Sequence, residues 1–167
     1  MGRVIGLTGE IGSGKSCALY AFGLLGARFL SLDHLAWTIG QGKVLEDDEY
    51  LSIVTERIAQ YRSANPVSDL VFEVSLWVVE AMPHLFDEIV VITSNRKIRA
   101  KRLSVRIGQK VKDVEHLTWG DFKYTFGVTK YFANNKAKID LWRDVETWWR
   151  KRYPGIPIEW KVDQCME

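Results

Sequence analysis

Eight residues near the start of the chain, Gly9-Glu10-Ile11-Gly12-Ser13-Gly14-Lys15-Ser16, follow the spacing G-x-x-x-x-G-K-S. The chemistry served by that spacing is the binding of a phosphate chain. Gly9, Gly12 and Gly14 allow the backbone to turn its N–H groups inward. The stretch from Ser13 to Cys17 opens a helix whose first N–H groups and partial positive charge favour an anion. In such a loop Lys15 reaches the β- and γ-phosphates of a nucleotide and the Ser16 hydroxyl ligates Mg²⁺. ATP and Mg²⁺ are therefore the expected donor and metal. The alternative is a glycine-rich turn with no ligand. The flanks argue against it, because 4–8 reads as a short apolar strand and 14–25 as a helix.

Two carboxylates stand at comparable positions further on. Asp33 follows a strand expected over 28–31 and opens a helix over 33–40. A carboxylate there either orients or deprotonates the group that receives a phosphate, or caps the helix. Glu73 falls at the end of a strand over 70–74, where an acid holds Mg²⁺ through water or pairs with a neighbouring base. Glu10, inside the loop, is expected to point to solvent. His34, His84 and His116 have no metal-ligand spacing and are expected on the surface or in the core. Trp37 is expected to pack in the core, with stacking on a base as the rival reading. Trp119, Phe122, Tyr124 and Phe126 with Lys123 form an aromatic and basic cluster, either a lid or a stacking platform for nucleic acid.

The elements that position these residues alternate. Further strands are expected over 89–93 and 131–133, and further helices over 76–83, 95–107 and 138–152. The last carries Ile139, Trp142, Val145 and Trp149 on one face. The runs at 70–74 and 89–93 are apolar on both faces, as in a parallel sheet. The expected class is α/β, a P-loop three-layer sandwich whose five-stranded, mostly parallel sheet is flanked by helices. All 167 residues are expected to form one domain with a small helical acceptor and lid region, in which 43–63, acidic at first and then helix-like, is a short acceptor-side insertion and 108–130 a possible lid; 154–167 is a possible edge strand.

Hydrophobic residues make up 47% and charged residues 26%, an ordinary globular composition that excludes a disordered chain. No apolar run is long enough for a membrane span and no signal peptide is evident. Cys17 and Cys165 lie far apart, which points to a reducing compartment such as the cytoplasm. The net charge of +2 conceals an asymmetry. Residues 1–94 hold six Lys and Arg against twelve Asp and Glu, and residues 95–152 hold sixteen against six. A basic half beside a phosphate loop suits a polyanion, whether a nucleotide or a nucleic acid.

The run Ile5-Gly6-Leu7-Thr8-Gly9-Glu10-Ile11-Gly12-Ser13-Gly14-Lys15-Ser16, then Leu25-Gly26, then Ser31-Leu32-Asp33-His34-Leu35-Ala36 resembles the start of dephospho-coenzyme A kinases. Weaker likeness continues in Val71-Phe72-Glu73-Val74-Ser75-Leu76, in Arg102-Leu103-Ser104-Val105-Arg106, and in Phe132-Ala133-Asn134-Asn135. The resemblance implies ATP- and Mg²⁺-dependent phosphoryl transfer, with Asp33 as the acceptor-side carboxylate. It also implies that Arg102 and Arg106 cover the nucleotide. Asn135, or less readily Asn134, would meet the adenine edge or else cap the following helix.

Departures are equally informative. The stretch between Asp33 and Glu73 is about 35 residues shorter than in that family. Ser31 stands for its first aspartate, and no lid arginine falls in 114–120. Viral deoxynucleoside monophosphate kinases share such a core with a different acceptor region. The expected acceptor is therefore a small molecule, a (deoxy)nucleoside monophosphate, with Lys15, Asp33 and Arg106 as the catalytic residues. Dephospho-coenzyme A is the alternative, and a nucleic-acid-directed kinase or an inactive nucleotide-binding protein are further ones.

Overall fold

Short runs of four to six residues between helix-period segments are too brief for helices, and three of them are too apolar for an exposed sheet. The computed structural model, which describes residues 1–111 and 127–154, uses them accordingly. Strands β1 (Val4–Gly9), β2 (Arg28–Ser31), β3 (Leu70–Glu73), β4 (Glu88–Thr93) and β5 (Lys130–Ala133) form one sheet. Their order is β2-β3-β1-β4-β5 and every pairing is parallel. Helices α1 (Lys15–Leu24), α2 (Leu32–Ile39), α3 (Asp47–Ser63), α4 (Leu76–Ala81), α5 (Arg96–Ile107) and α6 (Lys138–Arg152) connect and flank the strands. This is the expected α/β three-layer arrangement. Most of the possible lid (112–126) and of the possible edge strand (155–167) lies outside the described residues.

Alternation along the strands divides the core. Ile5, Leu7, Val71, Val90 and Ile92 face α1 and α6, where Phe22, Leu141, Val145 and Trp149 close over them. Val4, Phe72, Ile89 and Val91 face the other way, against Val54 and Ile58 of α3 and Val78 and Val79 of α4. Burying each such side chain contributes roughly 1.5–3 kcal/mol before chain entropy is counted. Trp142 and Trp149 on α6 are core residues, as their spacing predicts, and their N–H groups find carbonyls. Trp142 donates to the Cys17 carbonyl at 3.1 Å and Trp149 to the Leu25 carbonyl at 3.1 Å, which docks α6 on α1.

The segment 43–63, acidic at first and then helix-like in sequence, is largely the 17-residue helix α3. Asp47, Asp48 and Glu49 sit in its first turn, where acids suit the positive helix end, and Glu49 accepts from the Glu46 backbone N–H at 2.8 Å. Trp37 is not core. Helix α2 buries Leu32 and Ala36 and leaves the indole 66% exposed.

At the opposite end of the sheet from the glycine-rich loop, Arg152 donates to both carboxylate oxygens of Glu88, at 2.5 and 2.7 Å, and Arg3 adds a bond at 2.6 Å. Tyr153 donates to Asp69 and is pushed up to about 12 by burial and by that bond. Burial alone would raise the Glu88 carboxyl, but the bonds from Arg152 and Arg3 outweigh it and hold it below the usual range. A depressed carboxyl contributes stability above its unfolded value and loses it as pH falls through the folded value. Arg152→Met is expected to lower unfolding stability by about 1.5–3 kcal/mol at neutral pH, the worth of hydrogen bonds to charged groups. In urea titrations the deficit should shrink below the glutamate range, and a deficit independent of pH would count against the pairing.

Candidate active site

β1 is central, and the chain leaves it toward β2 and β3 on one side and toward β4 and β5 on the other. In open parallel sheets that reversal leaves a crevice beyond the C-terminal strand ends. Gly9 closes β1 there and Glu73 closes its neighbour β3, with Leu7 in register with Glu73. The loop from Gly9 to Gly14 spans the crevice into α1.

Left-handed backbone is required at this loop. Gly14 has φ 103°, and a Cβ there would lie 2.2 Å from Asn134 Nδ2. Gly9 has φ 146°, and its Cβ would lie 2.2 Å from the Ile92 carbonyl oxygen. The loop's carbonyls are held from behind. Ser13 O accepts from Asn134 Nδ2 at 2.7 Å and from Arg102 Nη1 at 3.3 Å, and Gly12 O accepts from Arg102 Nη1 at 3.4 Å. A trans peptide points its N–H opposite its carbonyl, so the Gly14 N–H faces away from these anchors. It joins the N–H groups of Lys15, Ser16 and Cys17 at the start of α1, where no side chain caps the helix. An uncapped first turn beside a lysine is a site for an anion.

The cleft beside this turn encloses about 590 Å³. Gly12, Gly14, Lys15, Ser16, Ser31, Asp33, His34, Glu73, Arg102 and Arg106 are among the residues that line it. Lys15 Nζ donates to the Gly9 carbonyl at 3.0 Å and the Glu10 carbonyl at 3.4 Å, bending back over its own loop. Burial pushes its ammonium below the usual lysine range, and the Glu73 and Asp33 carboxylates oppose that shift. Ser16 Oγ donates to Glu73 Oε1 at 2.9 Å. A hydroxyl and a carboxylate are hard oxygen donors of the kind Mg²⁺ takes, one or two from protein and the rest from phosphate and water. The pair fits that ion. Among the described residues no group of three or more His, Cys, Asp and Glu is placed to hold a metal.

Other residues have different surroundings from those expected. Arg102 is occupied beneath the loop, bonding Ser94 Oγ at 3.3 Å and Asn134 Oδ1 at 3.2 Å besides the loop carbonyls. Arg106, one turn on, is exposed at the rim of the cleft. Asn134 is buried under the loop, whereas the exposed Asn135 accepts from the Asn95 backbone N–H at 2.7 Å. Neither caps α6, whose N-cap residue is Ala137. Cys17 Sγ accepts from Trp142 Nε1 at 3.0 Å, and burial pushes the thiol up. Asp33 lies in the first turn of α2, and Ser31 is that helix's N-cap residue. Glu10 does not point to solvent. Its carboxylate lies 3.1 Å from Arg99 Nη2, whose side chain is 6% exposed.

Sequence reading passed over Ser94 and Arg99 and ranked Asn134 below Asn135. The available signal was position, since Asn134 directly follows β5 on the same sheet edge as the loop.

A parallel sheet ordered β2-β3-β1-β4-β5 with a phosphate loop between β1 and α1 is the fold of P-loop kinases. No model of a known protein family matches the chain, and no curated protein sequence does. Solved structures do. A sugar kinase from Janibacter is 15% identical with TM-score 0.62, over 89% of this chain and 94% of that one. A shikimate kinase from Acinetobacter baumannii in complex with shikimate is 15% identical with TM-score 0.59, over 92% and 96%. A gluconokinase from Sinorhizobium meliloti is 17% identical with TM-score 0.55, over 90% and 93%. At these identities the likeness is one of fold. No helix among the described residues is long and apolar enough to cross a membrane.

Proposed function

We propose that this chain is an ATP- and Mg²⁺-dependent kinase that phosphorylates a small acceptor, specifically a (deoxy)nucleoside monophosphate. One observation carries the reading: Lys15, Ser16 and Glu73 on the donor side and Asp33 on the acceptor side open onto one cleft. Kinases among the solved structures of this fold support phosphoryl transfer in general. The shortened stretch before Glu73 favours an acceptor smaller than dephospho-coenzyme A.

The N–H groups of Gly14 to Cys17 hold the phosphate chain, and Lys15 turns from the Gly9 carbonyl to the β- and γ-phosphates. Ser16 and Glu73 would hold Mg²⁺, which would neutralise phosphate charge. Asp33 orients the acceptor oxygen, and takes its proton where it carries one. That oxygen forms a bond to the γ-phosphorus as the bond to the bridging oxygen breaks, leaving ADP. Arg106 at the rim meets the charge spread over the transferring group.

The test offers labelled ATP and Mg²⁺ with ribo- and deoxynucleoside monophosphates, dephospho-coenzyme A and short DNA. A labelled nucleoside diphosphate is the expected product. Label on dephospho-coenzyme A alone would overturn the acceptor assignment, and transfer to DNA alone would favour a nucleic-acid-directed kinase.

A further inference from the structure

Helix α2 carries more than Asp33. His34 also lines the cleft, and Trp37 follows four residues after Asp33. At 1.5 Å per residue, positions 33 and 37 share a face and lie about 6 Å apart along the helix. Trp37 is 66% exposed, an unusual setting for so large an apolar ring.

The chain also gives this ring a support. Beyond α2, Gln41 and Gly42 both adopt left-handed backbone, with φ 51° and 81°. For a non-glycine residue such as Gln41 that conformation is uncommon. The Gly42 N–H donates to the Trp37 carbonyl at 3.0 Å. A Cβ on Gly42 would lie 3.4 Å from Trp37 Cζ2, so bare backbone lies against the indole. The ring is braced without being buried, on the helix that brings Asp33 to the cleft.

We infer that Trp37 is a stacking platform for the acceptor, and that the acceptor therefore carries a planar base. This rests on the kinase reading, in which Asp33 meets the acceptor oxygen. A nucleoside monophosphate has its base and 5′-phosphate separated by a distance of the order of one helical turn. With the base on Trp37, the phosphate lies toward Asp33. A sugar phosphate offers no π face and gains nothing from the indole.

Equilibrium binding separates these cases independently of turnover. The full chain, Trp37→Ala and Trp37→Phe are titrated with the four deoxynucleoside monophosphates and with deoxyribose 5-phosphate, which lacks the base. Circular dichroism and ATP affinity on the same samples check folding. Stacking on an aromatic ring predicts that Trp37→Ala weakens nucleotide binding by about tenfold. Trp37→Phe should retain most of the affinity, and deoxyribose 5-phosphate should bind all three alike. Equal nucleotide affinity in Trp37→Ala, or no nucleotide binding by the unaltered chain, overturns the inference. Trp37-dependent binding without phosphoryl transfer would support the platform while sinking the kinase reading.

Discussion

Replacing Lys15 with alanine is expected to cut phosphoryl transfer by at least about 10²–10³-fold, the cost of removing one preorganised charge-stabilising donor. Nothing else described is placed to substitute for it. Arg102 is tied to the Gly12 and Ser13 carbonyls, and Arg106 stands at the rim. Without the ammonium, only Mg²⁺ and Arg106 at the rim would offset the Glu73 and Asp33 carboxylates facing the incoming phosphates. Lys15→Arg should not rescue, since a planar fork does not replace a compact point charge on this short loop. Single-turnover transfer from labelled ATP measures the loss, with circular dichroism to confirm folding. The pH profile adds a second reading. Because burial lowers the Lys15 ammonium in the free protein, its charged form is lost at a pH below the ordinary lysine value, so the alkaline limb of kcat/KM should fall early. Transfer within tenfold of the unaltered protein would remove Lys15 from the mechanism.

Asp33→Asn comes next in size. General-base and positioning roles are typically worth about 10²–10⁴-fold in rate. The amide keeps the shape of the carboxylate but neither its charge nor its capacity to take a proton. Asp33 is exposed in the first turn of α2, so the change costs stability only through the helix dipole, about 0.3–1 kcal/mol. ATP affinity depends on the loop and should persist. The expected signature is therefore a collapse of kcat with little change in the apparent constant for ATP. A variant with full kcat and a raised acceptor constant would instead make Asp33 a binding group with no part in the transfer step.

What the sequence made legible is local. The glycine spacing at 9–14 dictates a backbone path over a few residues, and the strand ends just before Asp33 and at Glu73 follow from apolar runs that stop. Those features needed no knowledge of the rest of the chain. The residues misjudged are those whose partners are distant. Asn134 meets the loop across 121 positions and Arg102 across 89, so no window around either residue contains its reason. Glu10 was misplaced because its partner Arg99 lies on α5, far along the sequence from the loop. Trp37 was assigned to the core on residue type, but α2 had already spent its buried face on Leu32 and Ala36. The insertion at 43–63 read as helix-like only in part, since its acidic start resembles a loop until it is seen as the first turn of α3.

The anchoring of the phosphate loop by Asn134 has a consequence for how the protein is born. Residues 9–16 leave the ribosome well before their anchors: the amide that fixes Ser13 is 121 residues behind it and the indole that pins Cys17 is 125 behind. At ~5–20 residues per second the gap is roughly 6–24 s of synthesis. Throughout that interval the nascent chain holds its most recognisable motif without the floor beneath it. On the proposed function nucleotide binding is thus a late event in the life of the polypeptide, and a chain stalled before β5 would display the signature of an ATP site without being one.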